Sequence, residues 1–132
     1  MIKFARPLVL AALLTPAGAM HDAWAQTDNL IDISLTDYAF TPGTLNLKPG
    51  TAYHLHFINS GSKDHNFSAP EFFAASQIAA EDQAKVKKGF VGMESGQSVD
   101  ITVTTGSAGT FPVECTHFMH KMMGMHGSIT VE

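Results

Sequence analysis

Cysteine is almost missing from this chain: Cys115 is the only one in 132 residues. No internal disulfide can form, so whatever fold the chain adopts must be held by its own core. Long apolar runs are missing too. Leu8–Leu14 is apolar but far too short to span a bilayer. It lies between Lys3 and Arg6 on one side and two small-x-small sites, Ala17-Gly18-Ala19 and Ala23-Trp24-Ala25, on the other. That arrangement reads as a secretory signal over residues 1–25. Cleavage after Ala25 is favoured by the polar Gln26-Thr27-Asp28-Asn29 that follows, with Ala19 as the other site. No cysteine stands near either site, which excludes a lipid-anchored mature N-terminus.

Basic residues are also scarce. The whole chain has 8 Lys and Arg against 12 Asp and Glu, and losing Lys3, Arg6 and Asp22 with the signal leaves a net charge of −5. That balance argues against nucleic acid and anionic membranes as partners. No repeat of useful length and no low-complexity linker divides residues 26–132, which suffice for one compact domain. The expectation is a single exported domain, periplasmic or secreted, with no membrane insertion after cleavage.

What is present is alternation. Leu30–Leu35 alternates apolar and polar positions, and Asp37–Phe40 reads as its continuation up to the break at Thr41-Pro42-Gly43. Leu45–Leu47 ends at the turn Lys48-Pro49-Gly50-Thr51. Ala52–Asn59 is the strongest strand, with Tyr53, Leu55 and Phe57 on one face and His54, His56 and Ile58 on the other. Strand patterns return at Gly89–Met93, Gln97–Thr104, Thr110–Glu114 and Gly127–Glu132. Between them the composition turns alanine-rich, and Phe72, Phe73, Ile78 and Ala79 predict a short helix over Pro70–Ala80, with proline in its first turn. Many short strands with Gly/Pro turns predict an all-β Greek-key sandwich with one short helical insert.

The densest chemistry lies near the C-terminus, in Glu114-Cys115-Thr116-His117-Phe118-Met119-His120-Lys121-Met122-Met123-Gly124-Met125-His126-Gly127. His120 follows Cys115 by five positions and Met125 follows His120 by five. A loop between two strands can curl so that all three point at one spot. His65, in the loop after Ala52–Asn59, can supply a second imidazole from the same end of a sandwich. Two His, one Cys and a weak axial Met form the ligand set of blue-copper electron-transfer centres. Met is foreign to structural zinc sites, which separates copper from zinc. The metal ligands expected are therefore His65, Cys115, His120 and Met125, around one type 1 copper. The bland alternative has Cys115 and Met125 packing the core and the histidines on the surface.

Residues 30–132 resemble a cupredoxin of the plastocyanin/azurin group. Asp64-His65-Asn66-Phe67 resembles its first ligand loop. Cys115-x4-His120-x4-Met125-x-Gly127 resembles the second and is most similar to the auracyanin-like spacing. The resemblance implies a Greek-key sandwich, one-electron shuttling, and a second ligand imidazole, His120, near the surface where electrons pass. It also implies that Asn66 ties the first ligand loop to backbone beside Cys115. The chain departs from many members in having Phe118-Met119 where they carry Pro-Gly, and in the extra imidazole His117.

The function expected is a one-electron carrier and not an enzyme, since no nucleophile, general base or substrate pocket is evident. A monomer docking transiently with redox partner proteins near His120 fits that role. Two features leave another reading open. His117, Met119, Met122, Met123 and His126 crowd the ligand loop, and soft thioethers favour Cu(I). A protein that buffers or delivers copper through this loop is the alternative, and an apolar docking patch is the plainer account of the methionines. His54 and His56 form an H-x-H pair of the kind multicopper oxidases use, but one pair cannot build a trinuclear cluster, and a solvent-facing pair is the simpler reading.

Overall fold

The computed structural model describes residues 29–132. The signal reading and both cleavage sites lie outside these residues. Among the described residues no helix is long and apolar enough to cross a membrane.

Ten strands are described: β1 (Leu30–Thr36), β2 (Ala39–Thr41), β3 (Thr44–Leu47), β4 (Ala52–Asn59), β5 (His65–Ser68), β6 (Gln77–Ile78), β7 (Phe90–Met93), β8 (Ser98–Thr104), β9 (Gly109–Glu114) and β10 (His126–Val131). They form two five-stranded sheets, ordered β2-β1-β4-β8-β6 and β3-β10-β9-β5-β7. Most neighbours are antiparallel, while β1 runs parallel to β4 and β10 parallel to β3. Strands that neighbour each other in the sheets but not in sequence make this the all-β sandwich that the strand patterns predict, with connections crossing between the two layers.

The alternation decides which face goes inside. Ile33, Leu35, Leu55, Phe57, Ile101 and Val103 are fully buried on the inner face of the first sheet, and Val91, Val113, Ile129 and Val131 are buried from the second. A one-residue slip would turn every one of these side chains outward, so burial fixes the register. An aromatic series runs through the core. Phe67 on β5 lies against Phe57 and Phe40, with ring centroids 4.9 and 5.5 Å away, and against Phe73 at 6.4 Å. Because Phe67 stands two residues beyond His65 on the same strand, this packing also fixes where His65 points.

Two sequence expectations change. Asp37–Phe40 does not extend the first strand. The chain turns at Asp37–Tyr38 and returns as β2, with Leu35 opposite Phe40 and Thr36 opposite Ala39. The helix is shorter than predicted: α1 covers Pro70–Ala75 and buries Phe72 and Phe73. Ser76 is extended (φ −115°, ψ 168°), and its hydroxyl donates back to Phe72 O at 2.8 Å. Gln77 and Ile78 then pair with Thr104 and Val103 at the edge of β8, where a strand satisfies more backbone than another helical turn would. A 3-10 segment follows over Ala80–Lys85. It is tied to β8 by Asp82, which accepts the Thr102 N–H at 2.8 Å and pairs with Lys85 at 2.7 Å.

Candidate metal centre

Cys115 follows β9 directly, and Met125 directly precedes β10. The Cys115 N–H donates to Met125 O at 3.1 Å. That bond closes the neck of the loop and puts these two residues face to face, both buried. His120 lies at the bend between them. Its own N–H donates to His117 O at 3.1 Å, and its carbonyl accepts from Met123 and Met125. Lys121 pairs with Glu114, pinning the bend back onto β9.

His65 comes from the neighbouring strand of the same sheet, at the start of β5. It is fully buried, not the surface residue that a purely structural role for Cys115 would leave. Nδ1 of His65 stands 3.2 Å from Nδ1 of His120 and 4.0 Å from Sγ of Cys115, and His120 Nδ1 stands 3.5 Å from the same sulfur. Among the described residues this is the one trio of His, Cys, Asp or Glu whose donor atoms all lie within 4.8 Å of one another.

The donor set fits a metal. Ligands held 2.0–2.3 Å from a common ion would stand roughly 3.5 Å apart, which is the spacing here. The hydrogen-bond inventory agrees. Nε2 of His65 lies 2.6 Å from Oδ1 of Asp37. An ionised carboxylate only accepts, so Nε2 carries the proton and Nδ1 presents a lone pair to the cluster. Two imidazole Nδ1 atoms and a sulfur facing one another need a shared cation or proton. Met125, buried and bonded through its backbone to both Cys115 and His120, carries the soft thioether that copper favours over zinc.

The sulfur has a further partner. β5 and β9 pair only at Ser68 and Glu114, then diverge. In the gap the Asn66 N–H points at Cys115 Sγ at 3.5 Å, where a ladder carbonyl would otherwise sit. The Asn66 side chain bridges the same gap, accepting the Thr116 N–H at 2.9 Å and donating to Thr116 Oγ1 at 2.7 Å. This is the tie that the family resemblance implies.

Asp37 was not expected from the sequence. Its carboxylate accepts from the Ser62 hydroxyl, from the Ser62 N–H at 3.0 Å, from His65, and from the Lys63 N–H at 3.3 Å. The Ser62 hydroxyl, then His65, hold the Asp37 carboxyl well below the usual carboxylate range. It is therefore ionised wherever the protein is folded near neutrality. Tyr38 lies next to both histidines, its ring 4.9 Å from that of His120 and 6.1 Å from that of His65. Gly61 passes so close over this pair that a Cβ would stand 2.5 Å from Asp37 Oδ1 and 2.9 Å from His65 Nε2. No signal in the sequence joins Asp37 to His65. The turn at Asp37–Tyr38 does it, and local pattern reading missed that turn.

Burial, then the neighbouring His65 and His117, push the His120 pKa below its ordinary value, and Asp37 opposes them weakly. The neutral, metal-ready imidazole is the favoured form. His54 and His56 are elsewhere, on the outer face of β4. Both bond to one oxygen of Asp100, at 2.9 and 2.7 Å, and hold its carboxyl below the usual range.

The model of copper binding proteins of the plastocyanin/azurin family matches residues 27–132. The chain belongs to that family. Among solved structures, a dithionite-reduced auracyanin from Roseiflexus castenholzii is 20% identical, with a TM-score of 0.60 over 79% of this chain and 97% of its own. Auracyanin A from Chloroflexus aurantiacus is 19% identical, with a TM-score of 0.56 over 78% of this chain and 98% of its own. A multicopper oxidase from Campylobacter jejuni also overlays, at 14% identity and a TM-score of 0.58, but only 29% of it is covered. A search of curated protein sequences returns no significant match. Structures this distant establish the fold. Family membership together with the His-Cys-His trio and the adjacent methionine fits one type 1 copper in this cupredoxin.

Proposed function

We propose that this cupredoxin is an exported one-electron carrier whose ligands are Nδ1 of His65, Sγ of Cys115, Nδ1 of His120 and, more weakly, the thioether of Met125. The observation that carries the reading is the convergence of three strong donors within 4.8 Å from two separate segments of the sandwich. Copper, when bound, supplies the couple between its cuprous and cupric states. The protein supplies a frame that fits both. The loop neck, the Asn66 bridge and the Asp37–His65 bond hold the donors from three directions, so little has to move when the charge changes.

His120 sits at the solvent edge of the cluster, while His65 and Cys115 are shut inside. Its ring is the short route from sulfur to surface. Phe118 and Met122 stand exposed on the same loop, giving a small apolar face suited to a brief encounter with a redox partner. The acidic mature chain and the signal-like N-terminus support a monomer working in the periplasm or outside the cell. Cys115 and His65 are shut away from solvent, out of reach of an organic substrate, which favours a carrier over an enzyme. The test is reversible cycling. Mature protein loaded with one copper should be reduced and reoxidised repeatedly without releasing metal to a competing chelator. Turnover of an organic substrate by the loaded protein, or copper loss at each reduction, would contradict the assignment.

A further inference from the structure

The ligand loop carries more sulfur than the cluster uses. Met119, Met122 and Met123 are 47, 81 and 54% exposed, and none belongs to the buried core. They share one turn: the Met123 N–H donates to Met119 O at 3.1 Å and to His120 O at 3.2 Å, and Gly124 donates to Lys121 O at 3.1 Å. These backbone bonds hold the three methionines within one short turn, where Met119 has a positive φ of 66°. His117 is exposed next to them, with its ring centroid 5.6 Å from that of His120. His117 and the three methionines are exposed, while His120 is half-buried with its Nδ1 3.5 Å from Cys115 Sγ.

We propose that this turn is a second, weaker metal site, selective for Cu(I), which captures the ion and passes it through His117 to the inner cluster. The proposal rests on the copper reading of His65, Cys115 and His120. The chemistry fits. Thioethers are soft, uncharged donors that bind Cu(I) and leave Zn(II) and Cu(II) largely alone. Exposed, flexible Met side chains can rearrange around an incoming ion at little cost. Transfer is a ligand exchange with no change of oxidation state. Cu(I) leaves thioether and imidazole for the Cys115 sulfur, and the thiol proton departs to solvent. The gradient runs from neutral, exposed donors to a buried thiolate, so the inner cluster is the thermodynamic end point. An ion held on the turn is already at an effective concentration on the order of millimolar for the centre beside it.

The test separates sulfur from apolarity. A Met119→Leu/Met122→Leu/Met123→Leu variant keeps an apolar face for docking and removes the thioethers. Reduced apoprotein is titrated with Cu(I) against a chromophoric Cu(I) chelator, and loading of the inner site is followed at limiting Cu(I). The wild type should take up a second, weaker equivalent of Cu(I). The variant should take up one and load at least about tenfold more slowly at micromolar Cu(I). After oxidation, both should show the same visible spectrum. A His117→Ala variant should keep the second equivalent and load slowly. A single equivalent in the wild type, a second equivalent that survives the triple substitution, or equal loading rates would each overturn the proposal. None of those outcomes would touch the carrier function, which the spectrum and reversible cycling of the loaded protein report separately.

Discussion

Asp37 is the residue on which the exactness of the cluster turns. It fixes the tautomer and the angle of His65 through one charge-assisted bond at 2.6 Å. Asp37→Leu should weaken copper binding by about 10–100-fold while the sandwich stays folded, because groups that orient a metal-ligating imidazole typically matter by that factor. Competition with a chelator of known affinity measures it, and wild-type affinity in the variant would remove Asp37 from the account. Gly61→Ala reaches the same bond from the other side. Its methyl would meet Asp37 Oδ1 at 2.5 Å, so either the loop or the pair must shift. That substitution should change the visible spectrum of the loaded protein, whereas alanine at the open Gly96 backbone, where no neighbour lies within 4 Å, should act only through its positive φ of 81°. Met125→Leu should keep copper and alter the reduction potential, read by voltammetry. An unaltered potential would exclude the thioether.

At the scale of elements, the ligand loop and β5 are the parts that matter, and they were unequally legible. Cys115, His120 and Met125 announce themselves by spacing, because one loop must close on one point. Asn66 has no such spacing signal; the family resemblance implied its tie, and the parting of β5 from β9 shows why an amide fills the gap. Asn66→Ala would leave the Thr116 N–H and hydroxyl without their partner and unfasten the two ligand segments. The expected cost is about 1–2 kcal/mol of stability, together with a shifted spectrum, checked by denaturant unfolding of apo and loaded protein. A change in one without the other would mean that Asn66 serves either the fold or the site alone. The insert was misread because six residues of helix, a two-residue strand and a 3-10 segment share one alanine-rich composition. Composition cannot mark where Ser76 turns its hydroxyl back on Phe72. The turn at Asp37–Tyr38 hid for a similar reason: its flanks alternate as one longer strand would.

For the whole molecule, the alternating apolar positions of β1, β4 and β8 told which side faces the core, and so that there are two layers. They could not tell the order β2-β1-β4-β8-β6, which depends on partners far apart in sequence. Among the described residues every buried side-chain nitrogen and oxygen has a hydrogen-bond partner. Stability of the apoprotein should nonetheless depend on pH. His120 is pushed below its ordinary value, so the unfolded chain takes a proton there more readily than the folded one. Its contribution is therefore complete above the ordinary imidazole pKa of about 6.5 and is lost as pH falls through the lower, native value. Asp37 moves the other limit. Its carboxyl is depressed, so its contribution persists until pH drops below the ordinary carboxylate range. The unfolding midpoint of apoprotein should fall between neutral pH and about pH 5, and His120→Gln should flatten that slope. A slope unchanged in the variant would assign the acid sensitivity elsewhere.

Visible absorption shows whether the Cys115 sulfur holds copper. Purified mature chain is titrated with Cu(II), and the visible absorption is recorded beside that of Cys115→Ser. An intense blue or green colour should saturate at one equivalent in the wild type, and the variant should be folded and uncoloured. A wild type that stays colourless, or colour that survives the loss of the Cys115 sulfur, would contradict it.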